Sequence, residues 1–129
     1  MWRYRTGIDR HTGTSLTGWA HVAQCVDDIV STMFDARVLR LDYGCDLPCL
    51  IGKPLTPALL LEFYRKAVTA VHTWEPEFRV RRLDVMNVER SGGLRLFMRG
   101  LYYPEGRFGN YDAVEDASTA VAMLARRAA

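Results

Sequence analysis

Apolar positions recur at helical spacing in two segments. From Gly18 to Phe34, Val22, Cys25, Val26, Ile29 and Met33 share one face, and Gln24, Asp27, Asp28 and Ser31 cover the other. Thr17 is the expected N-cap. A second stripe, Leu60, Phe63, Tyr64, Ala67, Val68, Val71 and Trp74, follows Thr56-Pro57, a cap with proline at the first helical position. Pro76 disfavours helical geometry at Glu75, so this helix is expected to stop there.

Two strands are predicted next, 78–88 (FRVRRLDVMNV) and 94–103 (LRLFMRGLYY), joined by the hairpin signal ERSGG. In the second, Leu94, Leu96 and Met98 alternate with Arg95, Phe97 and Arg99, which gives one apolar face. A shorter strand is expected at 36–44 (ARVLRLDYG), where Val38 and Leu39 sit among arginines. CDLPCLIGKPL, with two prolines and a glycine, reads as a connecting loop. Residues 1–17 are polar, punctuated by Gly7 and Gly13, and read as an N-terminal arm that pairs or docks. The tail, 110–129, is alanine-rich. Val114, Ala117, Val121 and Leu124 can line one helical stripe, with acids early and Arg126 and Arg127 late, so it is expected to form a docking helix or to fray.

The sum is an α+β domain: two amphipathic helices packed on one face of a small mixed or antiparallel sheet that ends in a β-hairpin. One domain covers 1–109, including the arm 1–17, and the tail 110–129 follows. At 129 residues the chain suffices for one hydrophobic core. With 49% hydrophobic and 25% charged residues it has the composition of a folded domain, and its net charge of +2 gives no general case for nucleic acid or a membrane surface. The opening MWRYRTGIDRHTG has no apolar run of a secretory signal, and no segment approaches the ~20 apolar residues of a membrane span. Three cysteines without a disulfide framework fit a reducing compartment.

Three constellations bear on chemistry. In WEPEF, residues 74–78, Glu75 and Glu77 flank Pro76; in an extended segment their side chains share a face about 6–7 Å apart. That spacing is compatible with a glycosidase pair, but neighbours on one corner share one environment, whereas acid–base work needs their pKa values pushed apart. A structural or partner-binding corner is the favoured reading. His21 and Cys25, four apart on a helix, with Cys45 and Cys49, have spacings that zinc permits; the plainer reading makes Cys25 a small core residue. Arg79, Arg81 and Arg82 with Arg65 and Lys66 read as a solvated or protein-contacting face. Neither a nucleophile elbow nor a phosphate loop is present in the sequence.

GWAHVAQCVDDIVSTMFDARVLRLDYGCDL, residues 18–47, resembles the signature of the small baseplate wedge proteins of contractile phage tails, the baseplate assembly protein W family, to which a type VI secretion baseplate component is similar. The matching positions are His21, Val22, Gln24, Ile29, Thr32, Arg37, Arg40, Asp42, Tyr43 and Gly44, and the likeness runs on through WEPEFRVRRLDV and GLYYPEGRFG, covering about 7–109. The resemblance implies an α+β fold and a structural, non-enzymatic role at the junction of wedge and sheath. Its partners would be other wedge proteins and the tail sheath protein, with no cofactor, metal, nucleic acid, membrane or small-molecule substrate. The implied place is the virion tail baseplate, assembled in the host bacterial cytoplasm. Members often carry Glu-Pro-Arg where helix meets strand, as a contact with wedge neighbours. Here Glu75 and Pro76 match and Glu77 replaces the arginine, with Arg79 as its substitute. The implied partner-binding residues are therefore Glu75, Pro76, Glu77 and Arg79, and the arm and the 94–103 strand are expected to offer sheet edges. Some members are described as lysozyme-like, which keeps a peptidoglycan-cleaving muramidase using Glu75 and Glu77 as the alternative, beside a zinc-stabilised adaptor.

Overall fold

A computed structural model of the chain describes residues 4–47, 56–88 and 94–123. The arm folds as a hairpin of β1 (Thr6–Ile8) and β2 (Ser15–Thr17), with Thr6 opposite Thr17. The hairpin lies on helix α1 (Trp19–Ser31), where the Gln24 amide donates to Ile8 O at 2.9 Å and accepts from Arg10 N at 3.0 Å. Close approach is possible because of Gly7: a Cβ there would stand 2.2 Å from the His21 ring. The expected cap does not form. Thr17 is committed to pairing with Thr6, and the N-cap of α1 is Gly18, whose φ of 70° suits glycine.

Helix α2 (Pro57–Trp74) starts as its sequence predicts, with Thr56 Oγ1 accepting from Leu59 N at 3.2 Å and Pro57 in the first turn. Glu75 is its extended C-cap. The chain then enters a three-stranded antiparallel sheet, β3 (Phe78–Val88), β4 (Leu94–Tyr102) and β5 (Glu115–Met123), in the order β3-β4-β5. Val22, Val26, Ile29 and Val30 of α1, Phe63, Ala67 and Val71 of α2, and Phe78, Leu96, Met98 and Tyr102 of the sheet form one core. Trp19 closes it, its ring centroid 4.9 Å from Phe78 and 5.5 Å from Tyr102. The α+β expectation holds.

Three expectations change. The tail does not form a helix over the described residues; residues 115–123 are a strand along the whole of β4. Period two wins over the helical stripe because Ala117 and Thr119 turn inward while Asp116, Ser118 and Ala120 stay exposed, and Ala117 packs on the core. The 94–103 strand is consequently the centre of the sheet, with no edge to offer. The 36–44 segment makes turns and no strand. Its backbone closes on itself, with Asp35 N donating to Leu41 O, Arg40 N to Arg37 O and Tyr43 N to Arg40 O.

That loop is braced from inside. Arg37 donates twice to the Asp28 carboxylate at 2.7 and 2.8 Å, the Tyr43 hydroxyl donates to the same group, and Cys45 N reaches Thr32 O at 2.9 Å. Gly44, at φ 112°, lets the returning chain pass the helix end, since a Cβ would stand 2.2 Å from Thr32 O. Gly44→Ala should therefore cost about 1–3 kcal/mol in urea unfolding. Gly13, also at positive φ but facing open space, should lose less as alanine. Equal midpoints for Gly44→Ala and wild type would refute the close packing.

Candidate functional site

The α2–β3 corner is set by three residues. Glu75 N still donates to Val71 O at 2.8 Å, Pro76 ends the helix, and Glu77 O accepts from Tyr103 N at 2.7 Å, which ties the corner to the chain leaving β4. Both glutamates turn inward: Glu75 is 2% exposed and Glu77 0%. A buried carboxylate needs hydrogen bonds and a countercharge. Arg5, from the N-terminal arm, donates through Nη2 to Glu75 Oε2, and its Nε lies 3.9 Å from Glu77 Oε2. Arg107, from a 3-10 turn at Gly106–Phe108, donates through Nη1 to Glu77 Oε1 and to Pro104 O. Gly106 allows that turn to seat, because a Cβ would come 2.8 Å from Pro76 O.

Burial raises the Glu75 pKa above its ordinary value, although the bond from Arg5 pulls the other way. Burial also opposes the charge on Arg5, but its bond to Glu75 and the two carboxylates outweigh this and push its pKa up. Tyr102, buried beside the cluster, is held up at about 12, first by burial and then by the Glu77 charge. Among the described residues Arg5 Nε, Glu77 Oε2, His21 Nδ1 and Tyr102 Oη are buried without a hydrogen-bond partner. The cluster is thus packed with charge and only partly satisfied.

The four residues expected to meet a partner divide. Pro76 and Arg79 are exposed, with the Arg79 guanidinium 5.3 Å from the Tyr111 ring centroid. Glu75 and Glu77 are held from behind by Arg5 and Arg107, which sequence spacing did not reveal because the partners lie 70 and 30 residues away. The cavity at the corner, about 140 Å³, is lined by His72, Glu75, Pro76, Phe78, Arg79 and Tyr111. Ligand pockets usually span roughly 300–1,000 Å³. The zinc set does not assemble among the described residues. His21 Nε2 does lie 3.8 Å from Cys25 Sγ, but Cys45 Sγ donates to Val30 O inside the core, and Cys49 lies outside the described residues. Burial pushes the Cys25 thiol up, towards the neutral form.

The baseplate wedge protein gp25 family matches residues 17–98, more than half of the chain. The chain belongs to that family. Baseplate protein W of Escherichia phage P2 is 40% identical over 70 residues, which are 54% of this chain and 61% of that protein. The match thus spans less than two thirds of the relative's length. A chain of the postcontracted pyocin R2 baseplate superposes with a TM-score of 0.65 at 28% identity, covering 76% of this chain and 98% of the other. A Geobacter sulfurreducens protein described as a tail lysozyme shares the fold, with a TM-score of 0.64 at 20% identity over 86% of this chain and 94% of its own. As a gp25-family member, the chain is a baseplate wedge protein of the contractile-tail type. Within the matched span Gln24, Thr32, Arg37, Tyr43 and Gly44 have the supporting roles described above, joining the hairpin to α1 and bracing the loop after it.

Two outcomes follow from the corner. Arg107→Ala leaves Glu77 without its closest countercharge and should cost on the order of 2–3 kcal/mol in denaturant unfolding; a loss under about 0.5 kcal/mol would mean the pair is dispensable. Because the folded-state pKa of Glu75 is raised, its contribution is fully present below its ordinary value of 4.5 and is lost as pH rises through the folded pKa. The melting-temperature difference, wild type minus Glu75→Gln, should therefore shrink from acid to neutral pH. A difference that grows with pH would show that Arg5 overcompensates burial.

Proposed function

We propose that the protein works by binding, without turnover: it joins wedge subunits at the α2–β3 corner and offers the outer edge of β5 to the tail sheath protein. The open edge of β5 carries this reading. The strand has nine residues and, among the described residues, pairs with β4 on one side only; its sequence, EDASTAVAM, contains neither proline nor lysine, two common means of blunting an edge. Such an edge suits strand addition, in which backbone hydrogen bonds supply affinity and alternate side chains supply register. In this reading β5 takes the place expected for the 94–103 strand, and the first sheath ring builds on it.

The wedge contact is made by Pro76 and Arg79, which face solvent, while Glu75 and Glu77 fix the corner's shape. Two residues beyond Glu77, Arg79 supplies the exposed cation that a Glu-Pro-Arg corner would carry directly after its proline. No cofactor is needed for such work. The narrow cavity and the burial of both carboxylates, each closed over by an arginine, argue against sugar cleavage, which would need the two acids to face an open cleft. Assembly takes place in the host cytoplasm, before the tail is released.

Electron microscopy of particles made without this gene tests the reading. Deletion should leave no sheathed tails, and wild type should restore them. Arg79→Glu, which changes only an exposed side chain, should restore several-fold fewer while the purified variant melts like wild type. Complete sheathed tails that fail to cross the cell wall, or clearing of peptidoglycan by the purified protein, would overturn the binding role and return Glu75 and Glu77 to consideration as catalysts.

A further inference from the structure

The loop after α1 has its chemistry inside out. Arg37 and Arg40 close a turn through Arg40 N and Arg37 O at 3.1 Å, which places Val38 and Leu39 at its two central positions. Those positions ordinarily take glycine, proline, asparagine or aspartate. Here Val38 is 89% and Leu39 94% exposed, while the polar groups around them are turned to holding the loop. Arg37 is committed to Asp28 and lies 4.6 Å over the Tyr43 ring; Arg40 lies 5.5 Å over Trp74, whose ring meets Tyr43 edge-on at 5.1 Å. The turn is therefore presented on a braced stem, and its apolar tip has no partner in the chain among the described residues.

We infer that the Val38-Leu39 turn is a plug that enters an apolar socket, rimmed by a carboxylate, on a different protein of the assembly. The rim follows from Arg40. Among the described residues no carboxylate pairs with it. Its guanidinium rests over Trp74 on the stem, next in the chain to Leu39, so its charge lies where the rim of a socket would meet the base of the tip. The loop's own Asp35 and Asp42 flank the stem, with Asp42 facing the groove beside α2, outside the tip. A second copy is a poor occupant, because a two-fold contact tip to tip would set Arg40 against Arg40. Preorganisation is the gain from bracing: a turn already held in its bound shape loses little freedom on docking. This surface uses none of the residues assigned to the corner contact or to the β5 edge, and the inference rests on the baseplate reading only for the assembly in which the socket is sought.

The test compares tails assembled with wild type, Val38→Ser/Leu39→Ser, and Arg40→Glu. The free wild type and Val38→Ser/Leu39→Ser should melt alike, since both replaced side chains are exposed. Arg40→Glu should melt slightly lower because it also loses the Trp74 ring contact. Both variants should enter purified tails roughly tenfold less than wild type. Leu39→Cys should react with a bulky maleimide in the free protein and be protected in tails. Wild type absent from tails would remove the baseplate reading itself. Wild type present, with the serine variant entering equally or Leu39→Cys reacting in tails as it does when free, would overturn the plug. Two further results would also overturn it: a wild-type dimer in sedimentation that the serine variant abolishes, or wild-type binding to phosphatidylglycerol vesicles that the variant loses.

Discussion

Two carboxylates shielded from water have to be neutralised inside the fold, and Glu75 and Glu77 find their countercharges far along the chain, at Arg5 and Arg107. This requirement organises the molecule. Arg5 draws the N-terminal hairpin across α1, and Arg107 draws the turn after β4 under the corner, so two segments with little apolar surface are fixed in place by charge. Both arginines keep about a quarter of their side-chain surface in solvent, which lets each serve as a lid over a dry carboxylate. Replacing such a cluster by hydrocarbon is often neutral for stability; what the ions add is a geometry that tolerates no sliding.

A corner held this way is suited to recognition. Binding surfaces gain affinity when their shape is settled beforehand, and in the proposed role Pro76 and Arg79 ride on a bend whose backbone is tied to α2 and to the segment after β4, and whose Glu75 carboxylate is tied to the arm. The braced loop after α1 follows the same rule with different chemistry, using an edge-on pair of rings and one arginine nitrogen shared by both oxygens of Asp28. In both places the charged groups act as internal fasteners and the neighbouring exposed residues do the presenting.

Much of the architecture was legible because it follows local rules. Thr56-Pro57 announced α2, Pro76 ended it, and alternation in 94–103 announced β4. Where the sequence misled, a tertiary opportunity outweighed a local preference. The alanines of 115–123 have little objection to a helix, but the otherwise unpaired side of β4 offered a ladder for the whole strand, and inward turns at Ala117 and Thr119 fitted the core. Val38 and Leu39 suggested a strand by composition, yet the Arg37–Asp28 and Tyr43–Asp28 bonds fold the segment into turns. The glutamate pair was visible and its arginines were not, since nothing in WEPEF states which distant cation will close over it.

The long reach between Arg5 and Glu75 also has a consequence in time. The meander of β3, β4 and β5 pairs strands that follow one another in the chain and can form early, as contacts of smaller sequence separation do. The contact across 70 residues requires the largest loop closure at the corner, so it is expected among the later steps. Until then the acids must stay hydrated, and the bend between helix and sheet remains open to water. The segment synthesised near the start of the chain thus completes the interior only after the sheet has risen to meet it.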